Sequence, residues 1–189
     1  MKKVLQRCFL GLCLVLTAPL YLLFLLTRSK ELFAGQGQLL ALIPGKFGSY
    51  CRVAYYSRTL NSCSTKGYIG FGTFIAHPET ELGTGYYLGA YNILGTAKIG
   101  DHVTIASHVS ILSGKHQHGY TEIGKPIQEQ PGVFRKITIG ENCWIGNGAV
   151  IMDDLGVQNV VAAGSVVIHR TGDYEVLTGN PAKVVKTIR

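Results

Sequence analysis

Two histidines stand two residues apart in Ser113-Gly-Lys-His-Gln-His-Gly119, and of all side chains in this sequence they are best suited to moving a proton. A neutral imidazole accepts a hydroxyl proton near pH 7, which makes His116 a candidate general base. In an extended segment His118 shares a face with His116, where it would orient an incoming group. Imidazoles also bind zinc, yet neither His102 nor His108 comes with a clear third ligand. The five cysteines, Cys8, Cys13, Cys51, Cys63 and Cys143, are scattered and include no CxxC pair. They point away from a disulfide framework or a zinc site and toward a reducing compartment, so no metal is expected.

The elements that must position these histidines follow a count of six. Aliphatic residues return in the runs Ile69/Ile75, Leu82/Leu88/Leu94, Ile99/Ile105/Ile111, Ile139/Ile145/Ile151 and Leu155/Val161/Val167. Many precede Gly or Ala, as in Ile69-Gly70 and Ile105-Ala106. A fixed short period is the mark of a solenoid, and six residues with this composition predict a parallel β-helix, all-β in class. Each hexad supplies one strand and one turn, with the aliphatic side chain inside and the small residue easing the turn. Slips of one position at Glu81 and near Lys98 suggest bulges or adjusted turns. The count breaks over residues 114–136, which contain Pro126 and Pro131 and are predicted to project as a loop. His77, His102, His108 and His169 fall at variable hexad positions facing solvent or a neighbouring subunit. Thr178-Gly-Asn-Pro-Ala-Lys183 reads as the turn that ends the coil, with residues 184–189 as a short basic tail.

The stretch before Ile69 does not belong to the count. Residues 8–26 carry no charge over nineteen positions, close to the length that spans about 30 Å of hydrocarbon. No small-x-small cleavage site follows, so residues 1–30 read as a retained membrane anchor. Lys2, Lys3 and Arg7 precede it, Arg28 and Lys30 follow it, and Pro19 sits near its middle, so both a spanning helix and a re-entrant hairpin remain open. Residues 31–66 suit amphipathic helices, either on the membrane surface or packed against the base of the solenoid as its cap. The net charge of +7 fits a surface near anionic lipid or ligand phosphates. No basic run interleaved with aromatics is present, which argues against nucleic acid.

Taken together, the hexads, the His-bearing loop, Asn142-Cys-Trp-Ile-Gly146, Ala163-Gly-Ser-Val-Val167 and Gly179-Asn-Pro-Ala-Lys183 resemble the hexapeptide-repeat acyltransferases. The resembling branch holds the maltose, nodulation-factor and colanic-acid O-acetyltransferases, and the likeness covers residues 67–189. It implies a left-handed coil, a homotrimer and acetyl-CoA as co-substrate, lying in a groove between subunits. It further implies His116 as base, with Glu122 or Glu129 as candidates to orient it because Gln117 stands where relatives carry an acid. Asn92, His118 and Trp144 would contact substrate. Gly146, Ala163, Gly164 and Ser165 would line the pantetheine arm, and Lys183, with Lys186 or Arg189, would meet phosphates. The expected activity is acetylation of a sugar hydroxyl on a surface polysaccharide or its lipid-linked precursor, at the cytoplasmic face of a bacterial inner membrane. The alternatives are a small acceptor (an antibiotic, serine or an amino sugar) and a non-catalytic or metal-binding membrane solenoid.

Overall fold

The computed structural model describes residues 2–188. Short parallel strands stack into three faces of a prism. The first face holds Ser62–Cys63, Glu81–Leu82, Ala97–Ile99 and Ile137–Ile139. The second runs from Tyr68–Ile69 through Tyr87–Leu88, Thr104–Ile105, Trp144–Ile145 and Val160–Val161 to Glu175–Gly179, and the third from Phe74–Ile75 to Val166–Val167. In-register pairing places Ile69 on Leu88 on Ile105 on Ile145 on Val161, so identical hexad positions form internal ladders. Ile69, Leu88, Ile105 and Ile145 are fully buried. Each contributes roughly 1.5–3 kcal/mol by leaving water.

Every departure from six falls on one edge of the prism, between the third face and the first. Ile75 to Leu82 is seven positions, Leu94 to Ile99 five and Ile151 to Leu155 four, and the loop lies between Ile111 and Ile139. The slips are therefore adjusted turns at this corner and not bulges, because the flanking pairings stay in register. The other two corners keep the period by placing one residue per coil in the left-handed region. His102 (φ 57°) and His108 (φ 58°) occupy such positions, beside Asn142 and Gln158 on one corner and Tyr91 on the other. Both histidines belong to the turns of the repeat.

The C-terminal end differs from the expected tail. Ala182–Thr187 forms a strand antiparallel to Glu175–Gly179, so Gly179 to Ala182 is a hairpin turn and residues beyond it extend the second face. Arg189 lies outside the described residues.

Among the described residues four helices precede the coil: α1 (Lys2–Leu16), α2 (Ala18–Thr27), α3 (Lys30–Ala41) and α4 (Gly45–Thr59). Residues 50–56 lie in α4, and this helix is buried beneath its neighbours instead of lying on a surface. Its Ser49, Arg52 and Tyr56, spaced to share one helical side, face the first coil. The Ser49 hydroxyl accepts from the Ile69 N–H (3.1 Å) and the Tyr56 hydroxyl from the Ile75 N–H (3.0 Å). Arg52 donates to the Ile69 carbonyl through Nε (3.1 Å) and Nη2 (3.0 Å), and through Nη1 to the Leu40 and Ile43 carbonyls at 2.8 Å each. One fully buried guanidinium thus closes the C-terminal end of α3 and the open edge of the solenoid together. The negative end of the α3 dipole and the converging carbonyls stand in for a carboxylate partner.

Candidate active site

The arm of residues 113–136 rises from the irregular corner on two legs. At its foot, the buried Ser113 accepts the Thr96 N–H on its hydroxyl (2.9 Å) and the Arg135 N–H on its carbonyl (2.8 Å). Higher up, the Val133 N–H donates to the His116 carbonyl (2.6 Å). Gly132 is needed where the legs cross, because a Cβ there would overlap the Gln117 carbonyl. At the tip, the Gln130 amide donates to the Glu122 (3.0 Å) and Lys125 (2.9 Å) carbonyls and accepts the Glu122 N–H. On this self-contained arm His116 and His118 both stand exposed.

A charged clamp fixes the arm to the coil. Arg135 pairs with Asp153 and, at 2.8 Å, with Asp154, while Lys115 reaches Asp153 (3.5 Å) and the Ile168 carbonyl (3.1 Å). Asp154 also accepts the Thr138 N–H at 2.8 Å, tying the clamp into the next turn. Partial burial works against ionisation of Asp153, but the Asp154 N–H and the Arg135 and Lys115 charges outweigh it and hold its pKa below the ordinary carboxylate value. A lowered carboxylate pKa stabilises the native state above the ordinary value of about 3.9 and is lost as pH falls through the lower native value. The clamp therefore stays closed at neutral pH and opens only in acid below the usual Asp range. Asp153→Asn is expected to speed chymotryptic cleavage after the exposed Tyr120 several-fold while moving Tm by no more than about 2 °C, because ion pairs open to solvent on one side contribute only ~0.2–1 kcal/mol. Timed proteolysis beside a thermal melt checks both.

A second cluster lies on another edge, between the second and third faces. Its left-handed positions are Gly72, Tyr91, His108, Gly148 and Gly164 from the first coil to the last. Tyr91 and His108 stack with ring centroids 5.1 Å apart, and above them the column changes to glycine. A Cβ at Gly148 or Gly164 would meet nothing within 4 Å, so this corner is bare and open. Gly146, in contrast, packs so closely on Ala163 that no Cβ fits. Ala163 is exposed, and among the described residues its N–H has no protein partner. The result is a strip of backbone left bare at Gly148 and Gly164, suited to a long, flexible ligand that bonds along successive coils.

Several candidates are relocated by the structure. Asn92 is fully buried; its Oδ1 accepts the Val109 N–H (2.7 Å) and its Nδ2 donates to the Gly89 carbonyl (3.2 Å). It braces the turn of one coil against the next and cannot contact a substrate. Asn159 performs the same task at another corner three coils later, accepting the Glu175 N–H at 2.6 Å. Ser165 is likewise internal: its hydroxyl accepts the Gly179 N–H (3.2 Å), and its backbone N–H and carbonyl are bonded to Ala162 and Val150. Neither Glu122 nor Glu129 bonds His116, and the Glu122 carboxylate pairs with Lys125 at the arm tip. Among the described residues no group hydrogen-bonds the His116 imidazole. Trp144 stands half-exposed on the outer second face between Thr104 and Val160. Lys183 is exposed on the final strand.

Within one chain the structure carries His116 and His118 on the same arm and packs Gly146 against Ala163, next to Gly164, but it keeps the arm and the glycine corner on different edges of the prism. The clamp residues Asp153, Asp154 and Arg135 escape a search for catalytic types. Their signal is positional, since the Asp pair fills the shortest turn of the irregular corner.

No family model matches the chain. An inferred acetyltransferase of Saccharomyces cerevisiae is 39% identical over 128 residues, covering 61% of this chain and 63% of the yeast protein. The galactoside O-acetyltransferase of Escherichia coli is 33% identical over 96 residues, covering 49% of this chain and 45% of that enzyme. The chain thus spans less than two thirds of the curated relatives it matches. Among solved structures, a maltose O-acetyltransferase from Clostridium difficile 630 superposes with a TM-score of 0.74 at 22% identity, covering 87% of this chain and 89% of that one. The fold is that of the hexapeptide-repeat acetyltransferases, a parallel β-solenoid with added helices. A hexapeptide-repeat acetyltransferase of Vibrio cholerae O1 biovar eltor, in complex with acetyl coenzyme A, also superposes (TM-score 0.68, 20% identity, covering 82% of this chain and 85% of that one).

Proposed function

We propose that this protein is a hexapeptide-repeat O-acetyltransferase that moves an acetyl group from acetyl-CoA to a sugar hydroxyl. The observation that carries the reading is the anchored arm, which holds an exposed His116 above a solenoid with an open backbone strip on a neighbouring edge. The sequence likeness to acetyltransferases, including one that acts on galactosides, supports the same class. In the proposed reaction the His116 imidazole takes the proton of the acceptor hydroxyl as its oxygen bonds to the thioester carbonyl. The carbon–sulfur bond then breaks, and the imidazolium returns the proton to the departing thiolate. The products are an acetyl ester and free coenzyme A, with His116 restored. His118, two residues on along the arm, orients the acceptor.

The donor fits the corner of Gly148 and Gly164. A pantetheine arm laid there finds open space at both glycines and the Ala163 N–H without a protein partner among the described residues, while Trp144 and Lys183 on the adjoining face suit the rest of the cofactor. Because arm and corner lie on different edges, one copy's arm is taken to address a neighbour's corner. Such a contact is heterologous and closes into a ring; three copies are proposed. The uncharged stretch of residues 8–26 and the net charge of +7 favour an acceptor held at a membrane. That acceptor would be a lipid-linked or growing surface polysaccharide, met at the cytoplasmic face of a bacterial inner membrane, where acetyl-CoA is made available.

Gly148→Asn and Gly164→Asn test the donor corner, since Asn tolerates the left-handed backbone and fills the open space. Each is expected to weaken acetyl-CoA binding by at least about ten-fold, roughly 1.4 kcal/mol, in calorimetry, with an unchanged melting temperature. Undiminished binding in both variants removes the corner from the site.

A further inference from the structure

The helical cap is layered. On the side of α4 opposite Ser49, Arg52 and Tyr56, the residues Cys51, Tyr55 and Arg58 meet the other helices. There α1 and α2 pack chiefly on α4, forming a layer beyond the one that touches the solenoid. Their outward sides are almost wholly apolar: Leu5, Leu12, Val15 and Leu16 on α1, then Leu22 and Leu26 on α2, all at least half exposed. Soluble surfaces rarely carry so continuous an apolar face without a partner.

Among the described residues no single helix is long and apolar enough to cross a membrane; one pair, Leu5–Leu16 and Ala18–Thr27, passes by length and composition, and it is bent by 47°. The bend is built in. Pro19 cannot continue the α1 hydrogen-bond ladder, and the Thr17 hydroxyl donates back to the Cys13 carbonyl (2.7 Å). Arg58 of α4 donates to the Leu14 carbonyl (2.8 Å) and the Thr17 hydroxyl (2.6 Å), with its guanidinium 5.1 Å from the Tyr21 ring. Gln36 of α3 donates to the Leu20 carbonyl at 3.0 Å. Arg58 and Gln36 thus staple α1 and α2 to the rest of the cap in their bent arrangement. As bent, α1 and α2 are about 22 and 15 Å long, each shorter than the roughly 30 Å hydrocarbon core.

The charges around this face select its occupant. Arg7, Arg28 and Lys46 are exposed at its margins, and Lys46 lines an apolar cleft with Leu5, Phe9 and Phe47. The carboxylates close to Arg28 are engaged elsewhere: Glu31 accepts the Ser29 hydroxyl at 2.7 Å and Glu79 pairs with Lys30. An apolar face rimmed by cations matches the acyl boundary and phosphates of an anionic leaflet.

We propose that α1 and α2 lie flat in one leaflet of an anionic membrane as a bent, stapled pair, so that the chain is seated on the bilayer and does not span it. This inference rests on the membrane reading above and specifies its geometry. The test uses the full chain on phosphatidylcholine vesicles with and without phosphatidylglycerol. A nitroxide is placed on the native exposed Cys8 and, in a Cys8→Ser background, on Leu12→Cys, Val15→Cys, Leu22→Cys and Leu26→Cys, and its depth is read by electron paramagnetic resonance. All five labels are expected at one shallow depth, roughly 5–10 Å below the headgroups. Depths that run from one interface through the bilayer centre to the other overturn the flat seating while leaving the membrane reading intact. Failure of the wild-type chain to float with either vesicle, or a soluble assembly that shields Cys8 from reagent, overturns both. Arg7→Gln and Lys46→Gln are each expected to weaken binding to phosphatidylglycerol vesicles about five-fold and to leave binding to pure phosphatidylcholine unchanged. Equal affinities for anionic vesicles overturn the choice of lipid.

Discussion

Replacing His116 with alanine is expected to lower acetyl transfer by about 10²–10⁴-fold, the range associated with a lost general base. The loss falls on turnover, because acetyl-CoA is taken to bind at the glycine corner, on a different edge of the prism. Calorimetry on His116→Ala therefore shows donor affinity equal to that of the wild type. The fold is equally unaffected: His116 is exposed, its imidazole bonds nothing among the described residues, and the leg is held through its backbone carbonyl. His118→Ala acts differently, raising the acceptor KM with a smaller change in kcat. Full turnover in His116→Ala would assign the proton transfer elsewhere.

The second large effect concerns stability. Arg52→Met keeps the length and apolar stem but removes donors from the Leu40, Ile43 and Ile69 carbonyls, which are buried around it. An orphaned buried acceptor costs about 1–3 kcal/mol, so the variant should lose roughly 3–5 kcal/mol and melt on the order of 10 °C lower. Arg52→Lys recovers only part, because one ammonium cannot bridge the α3 terminus and the coil edge with a planar fork. Unfolding followed by circular dichroism measures the difference. A melting temperature within 2–3 °C of wild type in Arg52→Met, about 1 kcal/mol for a chain of this size, would show that the cap and coil are held by other contacts.

Ile69, Leu88 and Ile105 announced the prism because the ladder demands an aliphatic residue at each level, and that demand is local and periodic. His116 stood out by the same logic, since the repeat accounts for His102 and His108 as left-handed corner residues and leaves the arm unexplained. Asn92 misled because its type fits both a substrate contact and an internal brace. Only stacking, which places Val109 N–H directly above it, separates the two. The Arg135–Asp153–Asp154 clamp was hidden for a related reason: its members are 18 and 19 positions apart and meet only when successive coils stack. Residues 184–187 read as a tail because an antiparallel partner lies beyond the parallel period. Arg52 carried no sequence signal, as three converging carbonyls leave no mark on side-chain types.

The most direct measurement is transfer of isotopically labelled acetyl from acetyl-CoA onto saccharide acceptors, both free and lipid-linked, by the wild type and by His116→Ala. The expected product is an acetyl ester, released by mild alkali, formed by the wild type and almost absent with the variant. Label recovered in an alkali-stable amide, or equal ester formation by both proteins, would contradict O-acetylation through His116.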